Sequence, residues 1–585
     1  MEILLLITVL VPLAGGVLLF LSPRLDYRQA RSIALGTALA ALALTAVLML
    51  AFKPGLTTPQ FAFGGPNGPY GFRWLGADQA SIRFALGLDG LSVGLFGLTS
   101  LLLITAIFAS WESVKERPAL HYAFLLSLET GLLGLFSSLD VVLFYIFFEF
   151  TLIPLFFLIG IWGGPERRRA SITFFLYTLA GSLLTLLGVI ALVAVHYQYS
   201  PTHTLTFSIP ELTSGLSTLG ESWKEWAPLR PTWTSPQVLI FLLLFAGFAI
   251  KVPMFPFHTW LPLAHVEAPT AGSILLAGVL LKVGSYGLTR FNMAMTPVGA
   301  RFLFPLLAAL AVAGIIYGAL AALAQTDVKR LIAYSSVSHM GFVALGLFSM
   351  TTTGMNGASA QMINHGLTTG ALFACIGIIY ERYHTREMSE MGGLWKRLPL
   401  FAFFFILSSM GSAALPGLNG FVGEFPILVG TYATSPWSAV LASIGMILGA
   451  YYLLWMLQRV VFGPLHEPHG HGHGNGEPSH HAAAGHGGAD AHAGAVRPVG
   501  WHEIAGLTPL MVLIVLIGVY PAPIFDRTRP TVASIRASYQ KLEDAEDAAQ
   551  NPMIPRRSGS ASLSPAPQPT TPTAGTLTRA EIKGR

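Results

Sequence analysis

Charge is what this sequence has least of. Asp, Glu, Lys and Arg make up 11% of its 585 residues, against about 25% in a soluble globular domain. Hydrophobic residues make up 53%, and the mean hydropathy is +0.60. A soluble fold is excluded; a polytopic membrane protein is not. Cysteine is equally scarce, with Cys375 alone in an apolar run. One thiol can neither hold an Fe–S cluster nor close an internal disulfide. Any redox centre coupled to this chain therefore belongs to another chain. The glycine-rich stretches lack a strand–loop–helix phosphate frame, which excludes a nucleotide site, and nucleic acid is not an expected partner. The opening residues, MEILLLITVLVPLAGGVLLFLSPR, lack a basic leader and an A-x-A-like cleavage site. They read as a retained first helix rather than a signal peptide.

Long apolar runs are what is present. A span needs about 20 residues to cross about 30 Å of hydrocarbon. By that test the chain is an all-α polytopic membrane protein with about fourteen spans, near 2–22, 31–51, 88–110, 120–138, 140–161, 171–196, 236–262, 269–291, 302–325, 329–349, 358–381, 400–432, 437–462 and 503–525. Two are long and punctuated. Pro253 and Pro256 follow Lys251 closely, and Pro416, Gly417, Gly420, Gly423 and Pro426 surround Glu424. Proline removes a backbone donor and clashes with the preceding turn, so both regions read as broken helices. Lys251-Val252-Pro253 and Glu424-Phe425-Pro426 share one pattern, and paired broken segments point to inverted repeats with a site at the midplane.

The expected organisation is three helices with an outer-face loop (1–119), a five-helix repeat (120–291), a second inverted five-helix repeat (302–463), a His/Gly-rich loop (464–502), a last helix (503–526) and a disordered polar tail (527–585). With the N-terminus outside, sixteen Lys and Arg fall in inner loops and seven in outer loops. The positive-inside rule then places both termini on the outer, periplasmic side of a bacterial plasma membrane.

Six ionisable residues lie where apolar ones belong: Glu149, Lys251, Lys282, His339, His365 and Glu424. Lys251 follows thirteen uncharged residues. A lysine at the bilayer centre costs about 2.5–3.5 kcal/mol on insertion scales. A lone histidine is most simply a packed core residue, and a lysine near a helix end can snorkel. Six such residues together mark an ion pathway. Burial disfavours a charged form and an adjacent opposite charge favours it. A lysine beside a movable carboxylate is thus a switchable proton site. Lys251 takes that role, with Glu149 as the partner that sets its affinity and Lys282 as a relay. The histidines suit onward transfer, and Glu424 closes the series. The eight histidines between 466 and 492 have irregular spacing and no metal-site frame, so they read as a solvated loop.

FFEFTLIPLFFLIGIWGG, FAIKVPMFPFHTWLPLAHVEAPTAGSILLAGVLLKVGSYGLTRF, ALAQTDVKRLIAYSSVSHMGFV and HGLTTGALFACIGIIYERYHTREMSEMGGL resemble the antiporter-like membrane subunits of respiratory complex I over roughly residues 80–465. FVGEFPIL, with Glu424, is similar to the M-type branch, where L and N types typically have lysine. The resemblance implies proton translocation driven by quinone reduction elsewhere in the complex. It implies roles in translocation for Glu149, Lys251, Lys282, His339, His365 and Glu424. No cofactor is expected in this chain; FMN, Fe–S clusters and quinone belong to partner subunits. The implied partners are L-type and N-type neighbours, small membrane subunits and the bilayer. Relatives often have aspartate where this chain has Leu263, which implies a lost polar contact near His265. Two other functions fit the same residues: a D-type subunit of a multisubunit Na+/H+ antiporter, and a structural spacer with dead channels.

Overall fold

The computed structural model describes residues 1–64, 73–75, 82–200, 203, 205–216, 226, 228, 230–468 and 496–550. Most of the His/Gly-rich loop and the end of the tail lie outside them. Met1–Leu542 forms one compact unit. The second unit, Glu543–Arg585, is described only over its first residues, which are helical.

The chain is helical almost throughout: α1 (Glu2–Leu21), α2 (Tyr27–Ala51), α3 (Ser92–Ala109), α4 (Pro118–Ser137), α5 (Val141–Phe150), α6 (Leu152–Trp162), α7 (Arg167–Tyr199), α8 (Ile209–Leu216), α9 (Pro236–Lys251), α10 (Trp260–Glu267), α11 (Thr270–Leu275), α12 (Leu281–Gly287), α13 (Pro297–Leu323), α14 (Val328–Phe348), α15 (Thr352–Tyr383), α16 (Pro399–Ser412), α17 (Asn419–Thr434), α18 (Pro436–Val460), α19 (Trp501–Val519) and α20 (Ala522–Gln550). Among the described residues, twelve helical segments are long and apolar enough to cross a membrane, α5–α6 and α11–α12 each counting once. Two shorter apolar helices, α9 and α16, open the two interrupted regions.

Side-chain caps set several starts. Asp26 accepts from Gln29 N at 2.7 Å, Asp140 from Val142 N at 2.8 Å and Asp327 from Lys329 N at 2.7 Å. Each satisfies a donor that the first helical turn leaves free. The segment from 52 to 91 holds two short antiparallel pairs, β1 (Gln60–Phe63) with β4 (Leu86–Leu88) and β2 (Arg73–Leu75) with β3 (Ile82–Arg83).

Burial sorts the helices. The α11–α12 region is buried on all sides, and α14 and α15 nearly so, whereas α1, α2 and α18 turn residues such as Leu50 and Ile447 outward. A helix buried all round sits in the interior of a bundle. Small residues let the inner helices meet. A Cβ on Gly247 of α9 would collide with Thr185 Oγ1 and the Gly181 carbonyl of α7. Gly247→Leu therefore overpacks the α7–α9 contact, at a cost of about 1–3 kcal/mol or more. The expected result is loss of this subunit from the intact assembly on a native gel, with the Gly36→Leu control, whose Cβ meets nothing, unaffected.

Two expectations need correction. The polar tail expected from residue 527 is helical as far as Gln550, within α20, and buries Val532, Ile535, Tyr539 and Leu542. Tyr539 donates to Met293 O at 2.9 Å. These apolar residues recur at helical spacing, so packing outweighs the polar average composition. Second, Pro426 does not break its helix: it lies inside α17. The interruption falls earlier, at residues 413–418, where Gly417 takes φ +91°, a value open to glycine without steric cost.

Candidate functional site

The first interruption separates α9 from α10 and leaves Lys251 at the end of α9. Freed backbone groups must be satisfied inside the protein. Trp260 Nε1 donates to Ile250 O at 2.9 Å, and Met254 N to Ala249 O at 2.9 Å. The Lys251 side chain is 2% exposed. Its Nζ lies 3.7 Å from the centroid of the Phe148 ring and 3.4 Å from Phe148 O.

Glu149 acts on it without direct contact. No ion pair within 4 Å joins the two side chains, and Glu149 is half-buried, with Oε1 shielded and unpartnered, yet it is near enough for its charge to bear on Lys251. The direct contact of the ammonium is a cation–π one. The physical reason is helix phase: Phe148 turns inward toward Lys251, so its neighbour Glu149 sits about 100° round the helix.

Lys282 is fully buried, at 0% exposure. Two π-helical stretches flank α12, Leu276–Leu280 and Leu288–Met293. Such stretches cluster at functional sites. Lys282 Nζ reaches Ala277 O at 2.5 Å, a carbonyl within the first π stretch, and His365 Nδ1 at 2.6 Å. The His365 ring centroid is 5.7 Å from that of His339. His339 Nδ1 lies 2.7 Å from Glu424 Oε1. Lys282, His365, His339 and Glu424 therefore form one file of two bonded pairs. The file crosses from α12 through α15 and α14 to α17.

Five of the six residues singled out from sequence are buried. Four join this file, Lys251 stands one helix away, and Glu149, the neighbour of Lys251's partner ring Phe148, bears on Lys251 by charge alone. Several polar groups escaped the sequence reading. Gln361 Nε2 donates to Glu424 Oε1 at 2.9 Å. Ser412 Oγ and Tyr452 OH lie 3.2 Å and 3.3 Å from His339 Nε2. Neutral residues in apolar helices carry no charge signal, so nothing marked them. Glu129 of α4 could have been found by the argument used for Glu149: it is a carboxylate in an apolar run, buried, with neither oxygen hydrogen-bonded. Lys329 counted as an inner-loop charge, yet it is buried and donates to Ala268 O at 2.6 Å and Val266 O at 3.3 Å, capping the end of α10 as cations at helix C-termini do. His265 stacks on Phe373 at 4.8 Å with both ring nitrogens unpartnered. Among the described residues, no group of three or more His, Cys, Asp or Glu side chains is placed to hold a metal ion.

A family model described as NADH:quinone oxidoreductase/Mrp antiporter, TM, matches residues 138–449, which hold both interruptions and the whole file. The chain belongs to this family. It is 39% identical over 550 residues to NADH-quinone oxidoreductase subunit M of Rhodobacter capsulatus, covering 92% of this chain and 97% of that one. It is 37% identical over 530 residues to the subunit M of Pseudomonas aeruginosa, covering 88% and 94%. A chain of respiratory complex I from Thermus thermophilus with bound NADH superposes with a TM-score of 0.74 at 30% identity, over 92% of this chain and 99% of that one. A chain of the Mrp complex from Dietzia superposes at 0.73 with 20% identity, over 93% and 98%, a likeness of fold. The family thus joins complex I subunits and Mrp antiporter subunits on one architecture, and the full-length likeness in sequence is to subunit M.

Proposed function

We propose that this chain is the M-type proton-translocating membrane subunit of an NADH:quinone oxidoreductase. The observation that carries this reading is the buried file Lys282–His365–His339–Glu424, two bonded pairs at 2.6 Å and 2.7 Å separated by a ring-to-ring step of 5.7 Å. Both pairs join a proton donor to an acceptor. Intramembrane ionisable groups that pair with one another mark proton relays, and histidine changes charge near neutral pH.

The proton enters the file at Lys282 from Lys251 through ordered water. His365 passes it across the 5.7 Å step to His339, again through water, and Glu424 is the terminal site. Glu149 acts from the periphery, where a charge on a neighbouring subunit can reach it. The repeats 120–291 and 302–463 each contribute one interruption, and the fourteen crossings count each interrupted region once. The chain itself carries no redox centre; FMN, Fe–S clusters and quinone reside in partner subunits. It lies in the plasma membrane with both termini on the periplasmic side, beside L-type and N-type neighbours.

The test is co-purification. A tagged chain, solubilised gently, brings with it quinone reductase activity and Fe–S signals by electron paramagnetic resonance. Recovery of an Fe–S-free assembly that exchanges Na+ for H+ overturns the assignment in favour of antiport.

A further inference from the structure

Between α2, α3, α15, α19 and the start of α20 lies a cavity of about 460 Å³ that the proton site does not touch. Its walls are apolar, with Leu42, Leu98, Leu367 and Leu513 among them. Gly90, Gly94 and Gly97 recur at three- and four-residue spacing along the α3 wall, which places them on one face; a Cβ there would meet the Arg527 carbonyl, Ile363 or Met49, so the glycines draw these neighbours in and the cavity opens beside them. The lining runs along that wall from Gly90 to Leu101, about 16 Å at the helical rise. That is roughly half of the ~30 Å hydrocarbon core, the depth of one leaflet.

One cation stands in the lining, at the end away from Leu101. Arg527 donates through Nη1 to Pro523 O at 2.7 Å and through Nη2 to Met49 O at 3.4 Å. Its Nε is buried and has no hydrogen-bond partner. The adjacent carboxylate, Asp526, pairs with Arg529 at 3.5 Å, and among the described residues Arg527 has no ion-pair partner. The neighbouring hydroxyl of Thr528 is taken by Asn356 Oδ1 at 3.0 Å. A guanidinium that spends two donors on neutral carbonyls and keeps one shielded donor free is suited to an anion, and arginine suits phosphate in particular.

We propose that this cavity is a binding site for one anionic glycerophospholipid, with an acyl chain along α3 and the headgroup phosphate on Arg527. Apolar walls one leaflet deep select the chain, and the guanidinium selects the charge. Basic pockets between membrane helices recognise anionic headgroups by the same chemistry. The site is separate from the proton file, so it stands whatever that file transports.

The test uses the intact assembly, reconstituted with phosphatidylglycerol bearing a diazirine on its acyl chain, then irradiated and mapped by peptide mass spectrometry. The expected labels fall on Val93–Leu101 and Leu513–Ile524. Arg527→Gln is expected to cut them about tenfold, as is replacing the probe with phosphatidylcholine of the same chain, a loss of about 1.4 kcal/mol. Leu513→Trp fills the wall while keeping the guanidinium, and is also expected to lose the cavity labels. If Arg527→Gln fails to assemble, the headgroup comparison on the unaltered protein and the Leu513→Trp variant decide the matter. Equal labelling by both headgroups overturns the proposal. So does label spread no more densely here than on lipid-facing Leu183 and Ile447, or recovery of an isoprenoid quinone from the cavity.

Discussion

Lys282→Met is expected to abolish proton pumping by the assembled complex. Methionine keeps the length and packing of the lysine stem and removes the one group that, among the described residues, bonds His365 Nδ1. Inside-out vesicles carrying this variant should show acidification, followed by a pH-sensitive dye, reduced about tenfold or more, at least 1.4 kcal/mol on the barrier for transfer. NADH oxidation should fall with it if pumping and electron transfer are tightly coupled. The loss has a structural component to separate out. Ala277 O and His365 Nδ1 are each left without the donor they had, at about 1–3 kcal/mol per buried group. Native-gel abundance measures that component. Ser285→Ala supplies the matched control, since the Ser285 hydroxyl, one turn from Lys282, bonds Lys282 O and Met362 Sδ outside the file. Full pumping by an assembled Lys282→Met complex would leave the structural-spacer reading standing.

Glu424→Gln is expected to have an effect of similar size by a different route. The amide oxygen can still accept from Gln361 Nε2, which now lies 2.9 Å from Glu424 Oε1, so the local fold should hold. What disappears is the acidic group at the end of the file. His339 then faces a neutral amide at the position now 2.7 Å away, and a proton arriving at His339 finds no acceptor. Dye-followed acidification should fall about tenfold or more with assembly unchanged. Glu424→Asp should recover part of the activity, because it restores the charge one methylene short. Recovery by aspartate separates a proton-carrying role from a packing role. If glutamine and glutamate pump equally, Glu424 is not a terminus and the file ends at His339.

Charge against an apolar background was legible in the sequence, and that signal found Lys251, Lys282, His339, His365 and Glu424. It could not join them. Lys282 and His365 are 83 residues apart, and His339 and Glu424 are 85 apart; helix packing decides such contacts, and hydropathy does not encode it. Nor could that signal orient them: periodicity places Glu149 on a helix without saying that its neighbour Phe148 is the residue that turns onto Lys251. Composition misjudged α20: its average is polar, while its buried stripe of Val532, Ile535, Tyr539 and Leu542 is what docks it. Counting prolines made the second interruption too long: Pro416 and Gly417 fall in it, whereas Pro426 sits midway along α17, seven residues after its first residue, Asn419. The lysine precedes the first interruption and the glutamate follows the second, although their tripeptides look alike.

The π stretches beside Lys282 carry a further consequence. A π turn accommodates one more residue than the α turn it replaces, so residues 276–280 hold a spare residue without turning the helix by a further step. Removing a single residue there would leave a regular helix of almost the same reach and the same phase, with Lys282 still facing His365. In a regular α turn the same deletion would turn everything beyond it by about 100°, while hydropathy and charge count stayed as they are. The stretch is thus a buffer for the reading frame of the helix, and an alignment gap within 276–280 compares two proteins whose lysines face the same neighbour.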